Sequence, residues 1–358
     1  MRSRVVRAVT AVLLVVTLAV GGWFAWQRVQ QTPYEQAVGW LPEATLRATW
    51  TDWAQVRELA GQRLGETPTS RDVAVFLSRA YELDLTSTSA LVEGVSVMRE
   101  KYGFSPVEAE WESFGQSREG AVVVLRLEDS VDLGEVEDDL ARLGYDEPAD
   151  GPGSGGVWAG SADLVATIDP SLTAVMQNVV VVPDKRLVLL SDNQAYASAA
   201  ADVVEGSADG LDEVEGTSAL ARAADEPASA VLFASDFACE ALSMATADEG
   251  DQATADALVE EAGGVSPLAG LVVGLQPDRS LTVGMHFESS DQASADLRPR
   301  VTLASGESPG QGGTFAERFR VEEAVAEGSE IVMDLRPDEE DSPLMSDLTQ
   351  GPLLFAAC

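Results

Sequence analysis

The side chains that could perform acid–base or nucleophilic chemistry are few in this chain. It has one histidine, His286, and two cysteines, Cys239 and Cys358. Apolar residues occupy every second position from Leu281 to Glu288, so we expect His286 on the polar, solvated face of a strand. A serine or cysteine hydrolase of the usual kind needs a histidine beside its nucleophile. These residues therefore give no support for hydrolysis.

Glycine-rich segments give no support for nucleophilic catalysis or nucleotide binding. In the run Gly151 to Gly156, Pro152 stands where the Gly-x-Ser-x-Gly elbow requires a glycine, so we expect a flexible loop there. The sequence has no Gly-x-x-x-x-Gly-Lys-Ser/Thr motif, and no Gly-x-Gly-x-x-Gly follows a predicted strand. We expect no nucleotide cofactor.

Two carboxylates beside an aromatic residue raise the question of glycoside hydrolysis. Glu110 and Glu112 flank Trp111, and as alternate strand positions they would share one face with their Cβ atoms about 7 Å apart, in the range of inverting glycosidases. Glu and Trp are common residues, and such a triplet also arises in a surface face around a buried tryptophan. We favour this second interpretation.

Three further tryptophans, Trp40, Trp50 and Trp53, could stack on a glycan. Tryptophan is also a frequent anchor of cores and domain interfaces, and this is the role that we expect.

Metal binding is likewise not indicated. One histidine and two cysteines cannot form a zinc site of the usual composition. The acidic clusters Asp338 to Asp341 and Asp248 to Asp251 lack the spaced oxygens and the central glycine of an EF-hand loop. We expect no metal cofactor.

Cys239 and Cys358 are the candidate site residues of the chain, as a disulfide. An even and low cysteine count outside the cytoplasm favours one bond, which would close a loop of about 120 residues and stabilise the fold by about 4–5 kcal/mol. The alternative is a reactive Cys239 near a helix N-terminus, but no Cys-x-x-Cys motif accompanies it.

The N-terminal segment predicts a membrane anchor. Arg2, Arg4 and Arg7 precede an uncharged run from Ala8 to Trp26, and Arg28 follows it. About 20 residues of helix match the roughly 30 Å of a bilayer core, and the excess of arginine before the run places the N-terminus in the cytoplasm. A cleaved signal peptide is the alternative. We expect a single-pass cell-membrane protein with an extracytoplasmic C-terminal body.

The outer body is strongly acidic. The whole chain has a formal net charge of −37, and leaving out the four arginines up to Arg28 lowers it to −41. This charge excludes a nucleic-acid partner of the usual kind, because a phosphate backbone is bound through clustered lysine and arginine. An acidic surface is typical of a hydrated protein outside the cell.

Composition and periodicity divide the chain into a cytoplasmic tail (1–7), the transmembrane anchor (8–28), a polar stalk (29–42), a helix-rich part (43–118) and two α+β repeats (119–225 and 226–358). The repeats rest on two hairpin turns, Pro183-Asp184-Lys185 and Pro277-Asp278-Arg279. The fold class predicted is α+β, with antiparallel sheets, helices packed on one face and two related lobes after one transmembrane helix. The apolar tail Leu353 to Cys358 would complete the second sheet.

Three stretches carry a family resemblance: WLPEATLRATWTDW, GFSPVEAEWESFGQ and VVVVPDKRLVLLSD, the last followed by an Ala-rich acidic helix. Together with the Arg-rich anchor, they make the chain similar to uncharacterised single-pass, membrane-anchored extracytoplasmic proteins of high-GC actinobacteria that carry repeated strand-helix-hairpin-helix units. The resemblance implies a membrane-tethered protein without an assigned activity. It supplies no catalytic residue.

The sequence thus predicts a non-enzymatic envelope protein whose outer body binds a protein or a cell-envelope component. The alternative is an extracytoplasmic carrier of an apolar ligand such as a lipid, because helices on curved sheets can enclose a cavity. An enzyme of unfamiliar type is the third class.

Overall fold

The computed structural model describes residues 31–61, 64–65, 68–339 and 342–358. The predicted cytoplasmic tail and transmembrane anchor lie outside the described residues. In the part that is described, no helix combines the length and the apolar character needed to cross a membrane.

Twelve α-helices and eleven β-strands make up the described residues. The helices are α1 (Pro33–Gly39), α2 (Trp53–Leu59), α3 (Ser70–Glu82), α4 (Val95–Lys101), α5 (Leu133–Leu143), α6 (Ala162–Ile168), α7 (Gln194–Glu205), α8 (Thr217–Ala223), α9 (Phe237–Leu242), α10 (Glu249–Ala262), α11 (Ser290–Leu303) and α12 (Leu344–Thr349). The strands are β1 (Arg47–Thr51), β2 (Ala109–Gln116), β3 (Ala121–Leu127), β4 (Val157–Ala159), β5 (Asn178–Val182), β6 (Leu187–Ser191), β7 (Ser229–Ala234), β8 (Gly270–Leu275), β9 (Leu281–His286), β10 (Phe319–Glu327) and β11 (Glu330–Pro337).

All eleven strands belong to one antiparallel sheet. Its order is β10-β11-β9-β8-β7-β1-β2-β3-β6-β5-β4, and each neighbouring pair is antiparallel. The predicted α+β class with antiparallel pairing is confirmed. The strands of the two predicted repeats, however, form one continuous sheet rather than two.

Helices cover both faces of the sheet, so the prediction of helices on one face is wrong. Successive residues of a strand point to opposite faces, and the buried strands contribute to two separate cores. Val123 and Met285 belong to the front core, which α2–α6 and α9–α12 complete. Val122 and Leu232 belong to the back core, which α1, α7 and α8 complete. Burial on both faces explains why these strands read as continuous apolar runs.

The segment predicted as a polar stalk is part of the folded body from residue 33 onward. Thr32 and Glu35 form a capping box that begins α1. Tyr34, Ala37 and Val38 follow the i, i+3, i+4 spacing of one helix face and are buried in the back core. The segment was predicted as a stalk because its composition is mainly polar, and composition does not show that its few apolar residues lie on one helix face.

The two halves of the sheet have the same order of connections. Each contains a strand, helices, a hairpin, a helix and a second hairpin, which gives β1-β2-β3-β6-β5 in one half and β7-β8-β9-β11-β10 in the other. The first half differs in having β4 and α6 between α5 and its second hairpin. The predicted repeat equated the β5–β6 hairpin with β8–β9. In the sheet, β8–β9 instead takes the place that β2–β3 has in the first half. The predicted alignment of hairpins therefore differs from the order of the strands.

The C-terminal tail does not form the predicted strand. Residues Leu354–Ala356 form a short 3-10 helix that is buried in the front core. The ring of Phe355 lies 5.2 Å from that of Phe315 and 6.3 Å from that of Phe319, measured between centroids. The tail closes this end of the front core through aromatic packing rather than through sheet hydrogen bonds.

Truncating this aromatic cluster should destabilise the fold. We expect Phe355→Ala to lower the free energy of unfolding by about 3–5 kcal/mol, because a fully buried ring leaves a cavity. The matched control is Tyr81→Ala, since Tyr81 is 78% exposed, and it should change the value by less than about 0.5 kcal/mol. Urea unfolding followed by circular dichroism measures both, and equal effects would contradict the packing role of the tail.

Candidate functional site

A cleft of about 530 Å³ opens between α3, α4 and the start of α5. Its lining carries five carboxylates, from Glu100, Glu108, Asp132, Glu135 and Asp139. Three hydroxyl side chains, Ser70, Ser96 and Ser130, share the lining with a single cationic residue, Arg99. We call this site the acidic cleft.

Local structure fixes several of these side chains. Asp132 is the N-cap of α5, and its Oδ1 accepts hydrogen bonds from the backbone N–H groups of Gly134 at 2.9 Å and Glu135 at 3.3 Å. Glu108 is the last residue of the 3-10 turn Pro106–Glu108. Ser105 caps this turn, and its Oγ donates to Glu108 Oε2 at 2.6 Å. The cap residues thus place two carboxylates at the cleft through short-range hydrogen bonds.

Three of the five carboxylates of the cleft are in ion pairs, among them Glu100, whose Oε1 lies 2.7 Å from Lys101 Nζ. In the described part of the chain, Asp132 and Glu135 are the two lining carboxylates without an ion pair, and they keep the cleft negative. Arg99 Nε donates to Glu108 Oε1 at 2.6 Å, and Arg99 Nη2 donates to the carbonyl of Pro68 at 3.2 Å. Asp139 pairs with Arg142, a neighbour on α5. Carboxylates accept hydrogen bonds and do not donate when ionised. Such a lining suits ammonium, guanidinium or hydroxyl groups of a ligand.

Trp111 is buried as predicted, but the predicted surface face is wrong for Glu112, and Glu110 and Glu112 have different partners. Glu112 is buried and accepts hydrogen bonds from Trp53 Nε1 at 3.0 Å, Ser89 Oγ at 2.8 Å and the backbone N–H of Ala90 at 2.7 Å. Glu110 lies at a bulge of β2, where its Oε2 pairs with Arg126 Nε at 2.7 Å. Burial raises the pKa of the Glu112 carboxyl above its ordinary value, against the effect of its hydrogen bonds. Glu112 fastens α2 and the 86–91 segment to the sheet.

His286 is buried rather than solvated, so the predicted polar face is wrong for this residue. Its alternation on β9 places it on the back face, where α8 begins. The Cα of Gly216 lies so close that an added Cβ would be 2.3 Å from His286 Cδ2. His286 Nδ1 lies 3.0 Å from Glu330 Oε1 on the neighbouring strand. Alternation identified the face of the strand but could not show that a helix covers it.

The tryptophans mostly have the core role that was expected. Trp50 and Trp53 are fully buried, and Trp50 Nε1 donates to the carbonyl of Pro227 at 2.9 Å. Trp40 is half-buried beside a second polar pocket of about 300 Å³, with Lys185 Nζ 5.7 Å from its ring centroid. Of the three, only Trp40 keeps an accessible ring.

The disulfide between Cys239 and Cys358 is present, with the two Cα atoms 5.8 Å apart.

A buried arginine also holds the C-terminal tail. Arg300 of α11 donates to the carbonyls of Phe355 at 2.8 Å and Ala357 at 2.7 Å, and Asp296 lies one turn before it. Burial lowers the pKa of Arg300 to about 10. An Asp and an Arg four positions apart are typical of an exposed helix face. The sequence therefore gave no indication that Arg300 is buried and binds the C-terminal tail.

Among the described residues, no group of three or more His, Cys, Asp or Glu side chains is placed to hold a metal ion. In the cluster Asp248 to Asp251, Asp248 is the N-cap of α10 and accepts hydrogen bonds from the backbone N–H groups of Gly250 and Asp251. Of the other acidic cluster, residues 340 and 341 lie outside the described residues.

Removing the buried carboxylate should cost more stability than removing its neighbour. Glu112→Ala leaves three donors without their acceptor, one of them buried and two half-buried, so we expect the free energy of unfolding to fall by at least about 3 kcal/mol. Glu110→Ala, the matched control, removes only a partly exposed ion pair and should change it by at most about 1 kcal/mol. Urea denaturation compares the two variants, and a loss for Glu110→Ala as large as that for Glu112→Ala would refute this assignment.

The same carboxyl should make stability depend on pH. Because burial raises the folded-state pKa of Glu112, the folded protein binds this proton more tightly than the unfolded chain does. The free energy of unfolding of wild type, relative to Glu112→Gln, should therefore fall as pH rises from below the ordinary value of about 4.3 towards neutrality. Denaturation of both proteins across this range measures the difference, and an increase with pH would show that the folded-state pKa is lowered instead.

Comparisons were made with protein-family models, with curated proteins and with solved structures. None of the three gives a match to this chain. The contacts and charges described above are therefore the basis for a functional hypothesis.

Proposed function

We propose that the protein is a non-enzymatic, membrane-anchored extracytoplasmic protein that binds a protein or a cell-envelope component. The observation that carries this proposal is the acidic cleft, a volume of about 530 Å³ lined by carboxylates and hydroxyl groups. Its size is within the range of ligand sites. Its charge favours ligands that present cationic or hydroxyl groups, as basic protein segments and glycans do.

The positions of the reactive groups support binding rather than catalysis. Glu112 is engaged by three donors within the front core, and His286 lies under the start of α8 beside Glu330. Neither residue lines the acidic cleft. A general acid or base must lie within hydrogen-bond reach of its substrate, and these two side chains are enclosed by protein atoms.

The proposed anchor would hold the acidic body close to the bilayer. Residues 8–28 are the proposed transmembrane segment, and α1 begins at Pro33 as part of the folded body. Few residues therefore separate the anchor from the body. Anionic head groups would repel a body with a net charge near −41, so the anchor, rather than the acidic surface, would keep the body at the bilayer.

The alternative of an apolar-ligand carrier receives less support. A lipid site needs an apolar lining, whereas the acidic cleft and the second pocket beside Trp40 are both lined mainly by polar and charged groups. The front and back cores are filled by the side chains of the helices and strands themselves.

Crosslinking and recovery of the full-length, tagged protein from intact membranes tests the proposal. We expect a reproducible partner with wild type and a recovery lower by about tenfold with Asp132→Asn, Glu135→Gln and Asp139→Asn combined, because each loses a negative charge at the cleft. Asparagine at 132 keeps the helix cap. The control carries Glu249→Gln, Glu260→Gln and Glu261→Gln on α10, which remove the same charge away from the cleft.

Three outcomes would contradict the proposal. Equal recovery with the cleft and control variants would exclude the cleft as the binding site. A co-purifying lipid without a protein or glycan partner would favour the carrier. Turnover of a wall-derived substrate by the purified protein would show an enzyme.

A further inference from the structure

The two edge strands of the sheet, β4 and β10, differ in length and in what covers them. At one edge, β4 has three residues, and a bridge covers it: Asp146 N donates to the carbonyl of Ala159 at 2.8 Å, and Ala159 N donates to that of Asp146 at 3.0 Å. At the other edge, β10 has nine residues. Helix α11 packs against the front of β10. Among the described residues, the backbone of β10 pairs with β11 alone, so no strand pairs with its outer edge.

The back face of β10 is left uncovered by the described helices. Helix α8 packs on the back of β7, β8 and β9 and reaches β11, but the back core includes no side chain of β10 or β11 among the described residues. Val325 of β10 lies directly opposite Val332 of β11 on this face. Val325 is 43% exposed and Val332 is half-buried. An apolar pair is thus left in contact with solvent at the open end of the sheet.

Carboxylates flank this valine pair on both sides. Glu323 lies opposite Asp334, and Glu327 lies opposite Glu330, on the same face as Val325. Like charges directly opposite each other across a sheet are destabilising. In the described part of the chain, no ion pair neutralises Glu323 or Glu327. Glu330 contacts His286 Nδ1 at 3.0 Å. The repulsion at Glu323 and Glu327 is a cost to the folded protein that a cationic partner would remove.

The basic residues of these strands are already engaged. Arg320 lies 3.1 Å from Glu322 and 3.7 Å from Asp338, and Arg336 lies 2.9 Å from Asp278. They stand at the far end of the pair β10–β11, where Arg320 is opposite Arg336. The strip formed by Glu323, Val325 and Glu327 therefore presents negative, apolar and negative groups at alternate positions of the edge strand.

We propose that an extended basic segment of a partner protein adds to the outer edge of β10 as a twelfth strand. Its backbone pairs with the free edge, and side chains two positions apart point to the same face. A lysine or arginine beside Glu323, an apolar residue beside Val325 and a second basic residue beside Glu327 match the strip. The recognised pattern is basic-x-apolar-x-basic. This inference rests on the proposed function and adds a second binding site, outside the acidic cleft, for a basic segment of a protein partner.

A second copy of this chain is excluded as the occupant by its charge. Pairing β10 with another β10 would bring its four charged residues, three of them glutamates, against the same set. The carboxylates that oppose self-pairing are those that attract a basic strand, so one set of charges gives both protection and selectivity.

The test uses full-length protein in detergent and fluorescence anisotropy of labelled peptides. The basic peptide is Thr-Lys-Thr-Val-Thr-Lys-Thr. The second peptide has glutamate in place of both lysines. The third peptide keeps both lysines of the basic peptide but has proline in place of its two inner threonines, which removes backbone donors without changing the charge. We expect binding of the first peptide only. Equal binding of the proline peptide would overturn strand addition, since charge alone would then suffice.

The protein variants locate the binding. Glu323→Gln with Glu327→Gln should weaken binding of the basic peptide by about tenfold, and the control with Glu249→Gln and Glu260→Gln should not. Hydrogen exchange should show protection of β10 amides when the basic peptide is bound. Equal affinity of both variants, or unchanged exchange in β10, would overturn the inference.

The membrane recovery experiment separates this inference from the function on which it rests. A partner recovered equally well by wild type and by Glu323→Gln with Glu327→Gln would uphold binding and exclude the β10 edge. Recovery lost with these two substitutions, together with peptide binding, would support both.

Discussion

The pairing of β1 with β7 is the interaction on which the rest of the architecture depends. These central strands join the two halves, with Thr49 opposite Val231, and turn two five- or six-stranded sheets into one. Without this ladder each half would present a long unpaired edge at its centre. With it, the free edges lie at the ends, where one is bridged and the other is open.

The centre of the sheet is fixed by polar as well as apolar contacts. On the front of β1, Thr49 Oγ1 donates to the carbonyl of Thr88 at 2.6 Å, and the hydroxyls of Thr51 and Thr88 lie 2.7 Å apart. Glu112 on β2 accepts from Ser89 in the same segment. Buried polar groups are costly unless each has a partner. The 86–91 segment therefore has one stable position, and it leads directly into α4 at the acidic cleft.

Local patterns predicted the elements well where burial is uniform. The sequence predicts a strand from Ala121 to Leu127 and a helix from Leu133 to Leu143, and these are the bounds of β3 and α5. It also predicts a capping box of Thr69 with Asp72, which is present at α3. The sequence did not identify β10, because an edge strand with charged residues lacks the apolar alternation that marks a strand. It also could not show that α1 and α8 cover the back face, since covering is a contact between distant segments.

The candidate site was less predictable than the fold. The carboxylates of the acidic cleft come from separate segments between residues 100 and 139 and form no spaced motif. Their convergence depends on how α3 and α4 pack against α5. Single residues were misjudged for the same reason: Glu112 and His286 alternate correctly along their strands, but the elements that cover them are far away in sequence.

The central ladder also has a consequence for the order in which the chain can fold. β1 pairs with residues 229–234, which are synthesised long after residues 47–51. During synthesis β1 can pair with β2 as soon as the first half is made, but β7 is made later. Until then, the edge of β1 that pairs with β7 stays unpaired. Pairings between distant segments form slowly, and unpaired edges promote aggregation. The nascent first half is therefore the stage at which a chaperone would benefit this protein most.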